Sequence, residues 1–280
     1  MNYSLTFDFF PAQYYPTCTS GLNIQKRVDP SSTTSSFQSG PTNYLRLVEQ
    51  TTKFMNRQHA ISETISGEFS KRMSLNSKMT LNAKEWTLQS ENQPLGQLRM
   101  VHIQGAKNAI INTWVFPNHP TKMPVFAAEL IAVGNATKVA FVDIQVPVLS
   151  QFVADDVASL TAALSIRFTS LPCNETAPDW ATNASQGNFT YARDVPNEQL
   201  STVEDCYLSY LDTYLRAFVS DEAAAEVAKS ARNEEAIDAL QEYQVHHMEH
   251  SPGNKFLDKL FGSEWTESFM KNFLFAKPRG

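Results

Sequence analysis

Apolar positions change their spacing twice along this chain, dividing it into helical and extended stretches. Leu45, Leu47, Val48, Phe54, Met55, Ile61, Ile65 and Phe69 recur at helical intervals, which predicts a helix from Asn43 to about Arg72. From Ser74 the interval shortens. Met79, Leu81, Trp86, Leu88, Leu98, Met100 and His102 lie on alternating positions, followed by Ala109–Phe116, Val125–Val133 and Lys138–Val146, all rich in Val, Ile, Thr and aromatics. The polar turns between them are too short for crossover helices, so these segments are expected to run as consecutive antiparallel strands.

Helical spacing returns at Gln151–Phe168, with Val153, Val157, Leu160 and Leu164 on one face. A loop rich in Pro, Asn and Ser follows over Pro172–Asn188, then a strand at Phe189–Arg193. Helices are expected over Ser201–Val219 and Glu222–His247, with one or two more across Lys255–Phe275. Residues 1–42 are dominated by Ser, Thr, Pro and aromatics and read as an irregular arm, and 43–280 as a single domain. Helices therefore flank a central run of strands. The expected class is α+β, an α/β/α sandwich with a central antiparallel β-sheet flanked by helices.

Composition narrows the function. In 280 residues the hydrophobic fraction is 42% and the charged fraction 19%, the proportions of a globular protein rather than a disordered chain. A net charge of −6 argues against a general nucleic-acid or anionic-membrane binder. The best apolar run, Val139–Val148, is too short for a membrane span and carries Asp143 and Gln145. The first residues lack a basic and apolar leader, and the expected setting is cytoplasmic or plastid stroma, which read alike. Cys18, Cys173 and Cys206 form neither a disulfide framework nor a metal pair.

Candidate chemistry is sparse. No glycine-rich phosphate loop, GxSxG or HExxH is present. His246 and His250 have the i, i+4 spacing of half a zinc site, but no partner pair lies elsewhere, so no metal is expected and a solvated helix end is the simpler reading. His102 sits on an expected strand, either as a hydrogen-bonded structural residue or as a catalyst. Glu129 interrupts the apolar strand Val125–Val133. Facing outward it is unremarkable; facing the core it must be paired or keep its proton, which is how a proton donor is made.

Five blocks follow one another along the chain: Leu98-Arg-x-x-His102-Ile-Gln, Asn112-Thr-Trp-Val-Phe-Pro117, Met123-Pro-Val-Phe-Ala-Ala-Glu129-Leu-Ile, Phe141-Val-Asp-Ile-Gln-x-Pro147, and the closing Phe261-Gly-Ser-Glu-Trp through Phe275. In this order they resemble the ferredoxin-dependent bilin reductases. The resemblance implies an open-chain tetrapyrrole held between sheet and C-terminal helices. It also implies no bound flavin or metal, electrons delivered singly by reduced ferredoxin, tetrapyrrole radicals, and a monomer. His102 matches the family's strand His. Gln104 stands where the phycocyanobilin-forming branch has Glu. Asn112 stands where that branch has His and the phycoerythrobilin and phytochromobilin branches usually have Asn. Glu129 occupies the place of a central catalytic Asp, and Ser251 that of a second one.

The resemblance therefore implies two-electron reduction of biliverdin or 15,16-dihydrobiliverdin at a CH–CH group in phycobilin biosynthesis, nearer the phycoerythrobilin branch. Glu129 and His102 would be catalytic, and Asn112, Gln104 and Ser251 would contact substrate. Acidic ferredoxin would require a basic face, for which Lys78, Lys84, Arg99, Lys107, Lys122 and Lys138 are the candidates. The alternatives are a bilin-binding or bilin-transfer protein without catalysis, and a relative of the red chlorophyll catabolite reductases.

Overall fold

The computed structural model describes residues 41–58, 60–90, 93–147, 151–173, 176–229, 233–250 and 253–278. Of the arm expected over 1–42, only Pro41 and Thr42 fall within these residues.

The alternating segments become long strands because each can bury both of its faces. β1 (Ile61–Ser62), β2 (Lys71–Met73), β3 (Met79–Ser90), β4 (Gln93–Gly105), β5 (Asn108–Pro117), β6 (Val125–Val133), β7 (Ala136–Gln145) and β8 (Thr190–Pro196) form one sheet in the order β1-β3-β4-β5-β6-β7-β8, with β2 also on β3. Every pairing is antiparallel, and β3 to β7 run as the expected meander. The middle of β4 is buried without a break from Leu95 to Ile103, so it reads as a run rather than an alternation.

Two apolar cores lie on opposite faces. On the first, Trp86, Leu98, Ile111, Phe126 and Val142 pack under α1 (Leu45–Arg57), α3 (Gln151–Arg167), α5 (Leu200–Phe218) and α6 (Asp221–Ala228). On the second, Leu81, Val101, Trp114 and Phe141 pack under α7 (Glu234–His250), α8 (Gly253–Phe261), α9 (Ser263–Phe269) and the π-turn Met270–Leu274. Each large apolar side chain so covered contributes about 1.5–3 kcal/mol. This is the α/β/α sandwich that the pattern implies.

Three polar anchors seat α5. The Tyr207 hydroxyl donates to Thr113 Oγ1 at 3.1 Å, Tyr210 to the Asn188 carbonyl at 3.0 Å, and Tyr214 to the Pro124 carbonyl at 2.9 Å. Without them each buried hydroxyl would cost stability rather than add to it.

Three expected boundaries move. The first helix ends at Arg57, not Arg72. The following Ile61-Ser-Glu-Thr-Ile-Ser-Gly67 is poor in helix formers, and Ile61 and Ser62 instead pair with Thr87 and Trp86 at the edge of β3. The helix expected over Glu222–His247 is two, because Asn233 Oδ1 accepts from the Ala236 N–H at 3.1 Å and starts α7 afresh. The short α4 (Asp179–Thr182) forms inside the loop expected over Pro172–Asn188. Gly262, at φ +89°, turns the chain between α8 and α9.

Candidate active site

The second face of the sheet carries a polar set enclosed by apolar groups. Asn112 on β5 lies directly across from Glu129 on β6, and Glu129 across from Phe141 on β7. One step along the same face, Trp114 lies across from Ala127 and Ala127 across from Asp143. Gln145 follows on β7. Above them, α7 contributes Tyr243 and His247, whose rings meet Trp114 at centroid distances of 6.4 and 4.9 Å, and Phe275 closes on Trp114 at 5.2 Å.

Electrostatics follow from this enclosure. Burial alone pushes the Glu129 carboxyl up to about 7, with no hydrogen bond or ion pair among the described residues to oppose it. Asp143 is also pushed up to about 7; burial outweighs hydrogen bonds from Ser185, the Ile144 backbone and Gln145. The His247 imidazole is held down at about 3, by burial first and then by its neighbours His246 and His250. The site thus stores acid protons on two carboxyls while keeping its histidine uncharged.

Among the described residues, several polar atoms here are buried without a hydrogen-bond partner: Asn112 Oδ1, Trp114 Nε1 and Asp143 Oδ2. Each such atom costs about 1–3 kcal/mol. Of these, Asn112 Oδ1 and Trp114 Nε1 make one acceptor and one donor on one face, matched to a ligand that offers an N–H group and a carbonyl or carboxylate oxygen.

Arg99 closes the set. It is 1% exposed, its Nε donates to Glu85 Oε1 at 2.9 Å, and its Nη1 donates to the Ala276 carbonyl at 2.6 Å. The guanidinium therefore fastens the chain end over the sheet. This corrects the expectation that Arg99 forms part of a basic outer face. Of the remaining cations, Lys78 and Lys107 flank turns at one end of the meander, Lys138 lies near that end and is paired with Asp194 at 2.6 Å, and Lys122 lies beyond the other end. Lys84 reaches Thr52 on α1 at 2.9 Å.

His102 and Gln104 do not join Glu129 and Asn112. Successive strand residues point to opposite faces, and His102 lies across from Ile111 and Asn82, on the α1 side. Its Nε2 and Gln104 Oε1 are 3.3 Å apart, and burial lowers its pKa. The sheet stands between the two pairs, so the structure does not bring His102 and Gln104 together with Glu129 and Asn112. Ser251 lies outside the described residues. His246 and His250 stack at 4.3 Å, and His250 Nδ1 lies 2.9 Å from the His246 carbonyl. Among the described residues no three His, Cys, Asp or Glu gather to hold a metal ion.

Asp143, Trp114, Tyr243 and His247 are the site residues that sequence reasoning did not single out. Asp143 had a visible signal, a carboxyl in a strand apolar on both sides of it. Tyr243 and His247 had none, because only packing decides which face of α7 meets the sheet.

Residues 46–276 match the family model of the ferredoxin-dependent bilin reductases. The chain belongs to that family. The phycoerythrobilin:ferredoxin oxidoreductase of Nostoc punctiforme is 25% identical over 190 residues, covering 66% of this chain and 72% of that protein. A phycocyanobilin:ferredoxin oxidoreductase of Synechococcus sp. is 26% identical over 191 residues, covering 65% and 73%. The fold is shared with tomato phytochromobilin synthase in complex with biliverdin, at TM-score 0.64 and 17% identity over 83% of this chain and 82% of that one. Ferredoxin-dependent reduction of a bilin is the chemistry of the family, with ferredoxin as electron donor. Among the described residues no helix is long and apolar enough to cross a membrane.

Proposed function

We propose that this bilin reductase takes biliverdin or 15,16-dihydrobiliverdin and reduces it by two electrons from reduced ferredoxin, each electron matched by a proton. The observation that carries the reading is Glu129: a carboxyl held at about 7 by burial, facing the C-terminal helices in the middle of the sheet. A protonated carboxyl near neutrality is a competent acid toward a pyrrole nitrogen or lactam oxygen whose basicity rises once an electron arrives. Asn112, whose Oδ1 is unpartnered, would accept a pyrrole N–H, and Trp114 Nε1 would donate to a lactam or propionate oxygen. The bilin would lie between this face and α7–α9, with Tyr243 and His247 against its rings. Electrons come from ferredoxin and protons from the chain, with neither flavin nor metal in the scheme. Binding in the phycoerythrobilin manner, rather than the phycocyanobilin one, rests on Asn112.

The test is an anaerobic assay of the purified protein with each bilin, ferredoxin and a reducing system, read by absorption and product chromatography. A reduced product from the parent, and bound but unreduced bilin from Glu129→Gln, is the expected pair of results. Equal rates from both proteins would remove Glu129 from the mechanism. A parent that binds bilin and leaves it unreduced would be a carrier.

A further inference from the structure

Glu129 sits where water is shut out, so a proton it gives away has to be returned through the protein. The question rests on the function proposed above. Among the described residues three carboxyls lie on this face of the sheet: Glu85, Glu129 and Asp143. Glu85 is committed to Arg99. Asp143 is not committed. It belongs to no ion pair among the described residues; one of its oxygens accepts from the Ile144 N–H at 2.7 Å, and the other, Oδ2, is buried with no partner. Because Glu129 lies across from Phe141 and Asp143 is two residues farther along β7, the two carboxyls are diagonal neighbours. Such diagonals are about 7–8 Å apart between backbones, within reach of two acidic side chains leaning together.

Asp143 also has an outlet that Glu129 lacks. Ser185 is half-exposed and held against the end of β7 by a backbone bridge to Gln145, which sets its hydroxyl on the side of Asp143, where it eases ionisation of that carboxyl. Tyr243, which donates to Gln145 Oε1, covers the same corner from α7. A line of exchangeable protons therefore runs from solvent to Ser185 and Asp143, ending one diagonal from Glu129.

We propose that Asp143 is a proton-relay residue, returning a proton to Glu129 after each donation and refilled from water through the Ser185 hydroxyl. The steps balance without any electron moving in the relay. Glu129 loses its O–H proton to the bilin; Asp143 transfers its proton to the Glu129 carboxylate; Ser185 gives its hydroxyl proton to the Asp143 carboxylate as it takes one from water. Two electrons reach the bilin from ferredoxin, so one C=C becomes CH–CH with two protons taken up. Both carboxyls sit at about 7, so transfer between them is close to thermoneutral. Asp143 supplies through a neighbour and is assigned no contact with substrate.

The parent, Asp143→Asn and Ser185→Ala are compared in multiple turnover with biliverdin, dihydrobiliverdin and reduced ferredoxin, in H2O and in D2O. For Asp143→Asn the expected result is the parent's bilin spectrum and KM, a kcat lowered about tenfold to a hundredfold, and a larger solvent isotope effect. Ser185→Ala should move the same way by less. A residue with a merely structural role would disturb the bilin spectrum or KM and leave the isotope effect alone. Parent-like kcat and isotope effect in both variants overturn the relay and leave the reductase standing. If Asp143→Asn does not fold, Ser185→Ala decides by the same criterion. A parent that reduces neither bilin overturns the reductase reading and the relay with it.

Discussion

A carboxyl keeps its proton near neutrality only where its anion is poorly solvated, and Glu129 illustrates what that costs. Its pKa stands at about 7 against an ordinary 4.5, so the native state holds a proton that the unfolded chain releases as pH rises. The native protein therefore loses stability between about pH 4.5 and pH 7, and above that the full penalty of about 3 kcal/mol remains. Glu129→Gln removes it: the variant should match the parent in urea unfolding near pH 4.5 and exceed it by about 2–3 kcal/mol at pH 8. The same variant should lose bilin reduction by at least about a hundredfold in an anaerobic assay, the usual worth of a positioned acid. In the parent, kcat should fall as pH rises through about 7, because the donor must carry its proton. A variant at once more stable and less active marks a site held against its own solvation.

At the scale of elements, the chain end is tied to the sheet by one buried ion pair. Arg99 joins β3, β4 and the segment after the π-turn through Glu85 and the Leu274 and Ala276 carbonyls. Arg99→Met removes the cation that faces the buried Glu85 carboxylate, which should cost about 3–5 kcal/mol in chemical unfolding. Adding Glu85→Leu should recover most of that loss, since the replacement pair needs no solvation. The start of α7 depends on a single side chain, so Asn233→Ala should cost about 1 kcal/mol, read as a lowered melting temperature. That cap was present in the sequence but hidden, because Ala and Glu on both sides of it continue a helical pattern. The early end of α1 was hidden for a related reason: Ile61, Ile65 and Phe69 keep helical spacing, while Ile61 is used at a strand edge.

Over the whole molecule, buried groups of opposite kind shape stability from both sides. The buried carboxyls oppose high pH. His247, held at about 3 against 6.5, opposes low pH: the unfolded chain takes up a proton there that the native state refuses. Stability should fall as pH drops from about 6.5, by on the order of 4–5 kcal/mol in full from this group. His247→Phe should flatten that acid limb in a series of unfolding curves between pH 4 and pH 7. The sequence by itself determined the meander, the flanking helices and the α+β class, because alternation, turn residues and helical spacing are local and the strands from β3 to β7 each pair with their neighbour in the chain. It also singled out Glu129, since a carboxyl inside an apolar strand has to be explained by any fold. Only the tertiary structure decided which residues meet. One position along β4 turns His102 and Gln104 toward α1, and register alone sets Asn112 against Glu129 and Asp143 on the diagonal. Facing is a property of paired strands and packed helices, with a period of two that a resemblance in residue type does not carry.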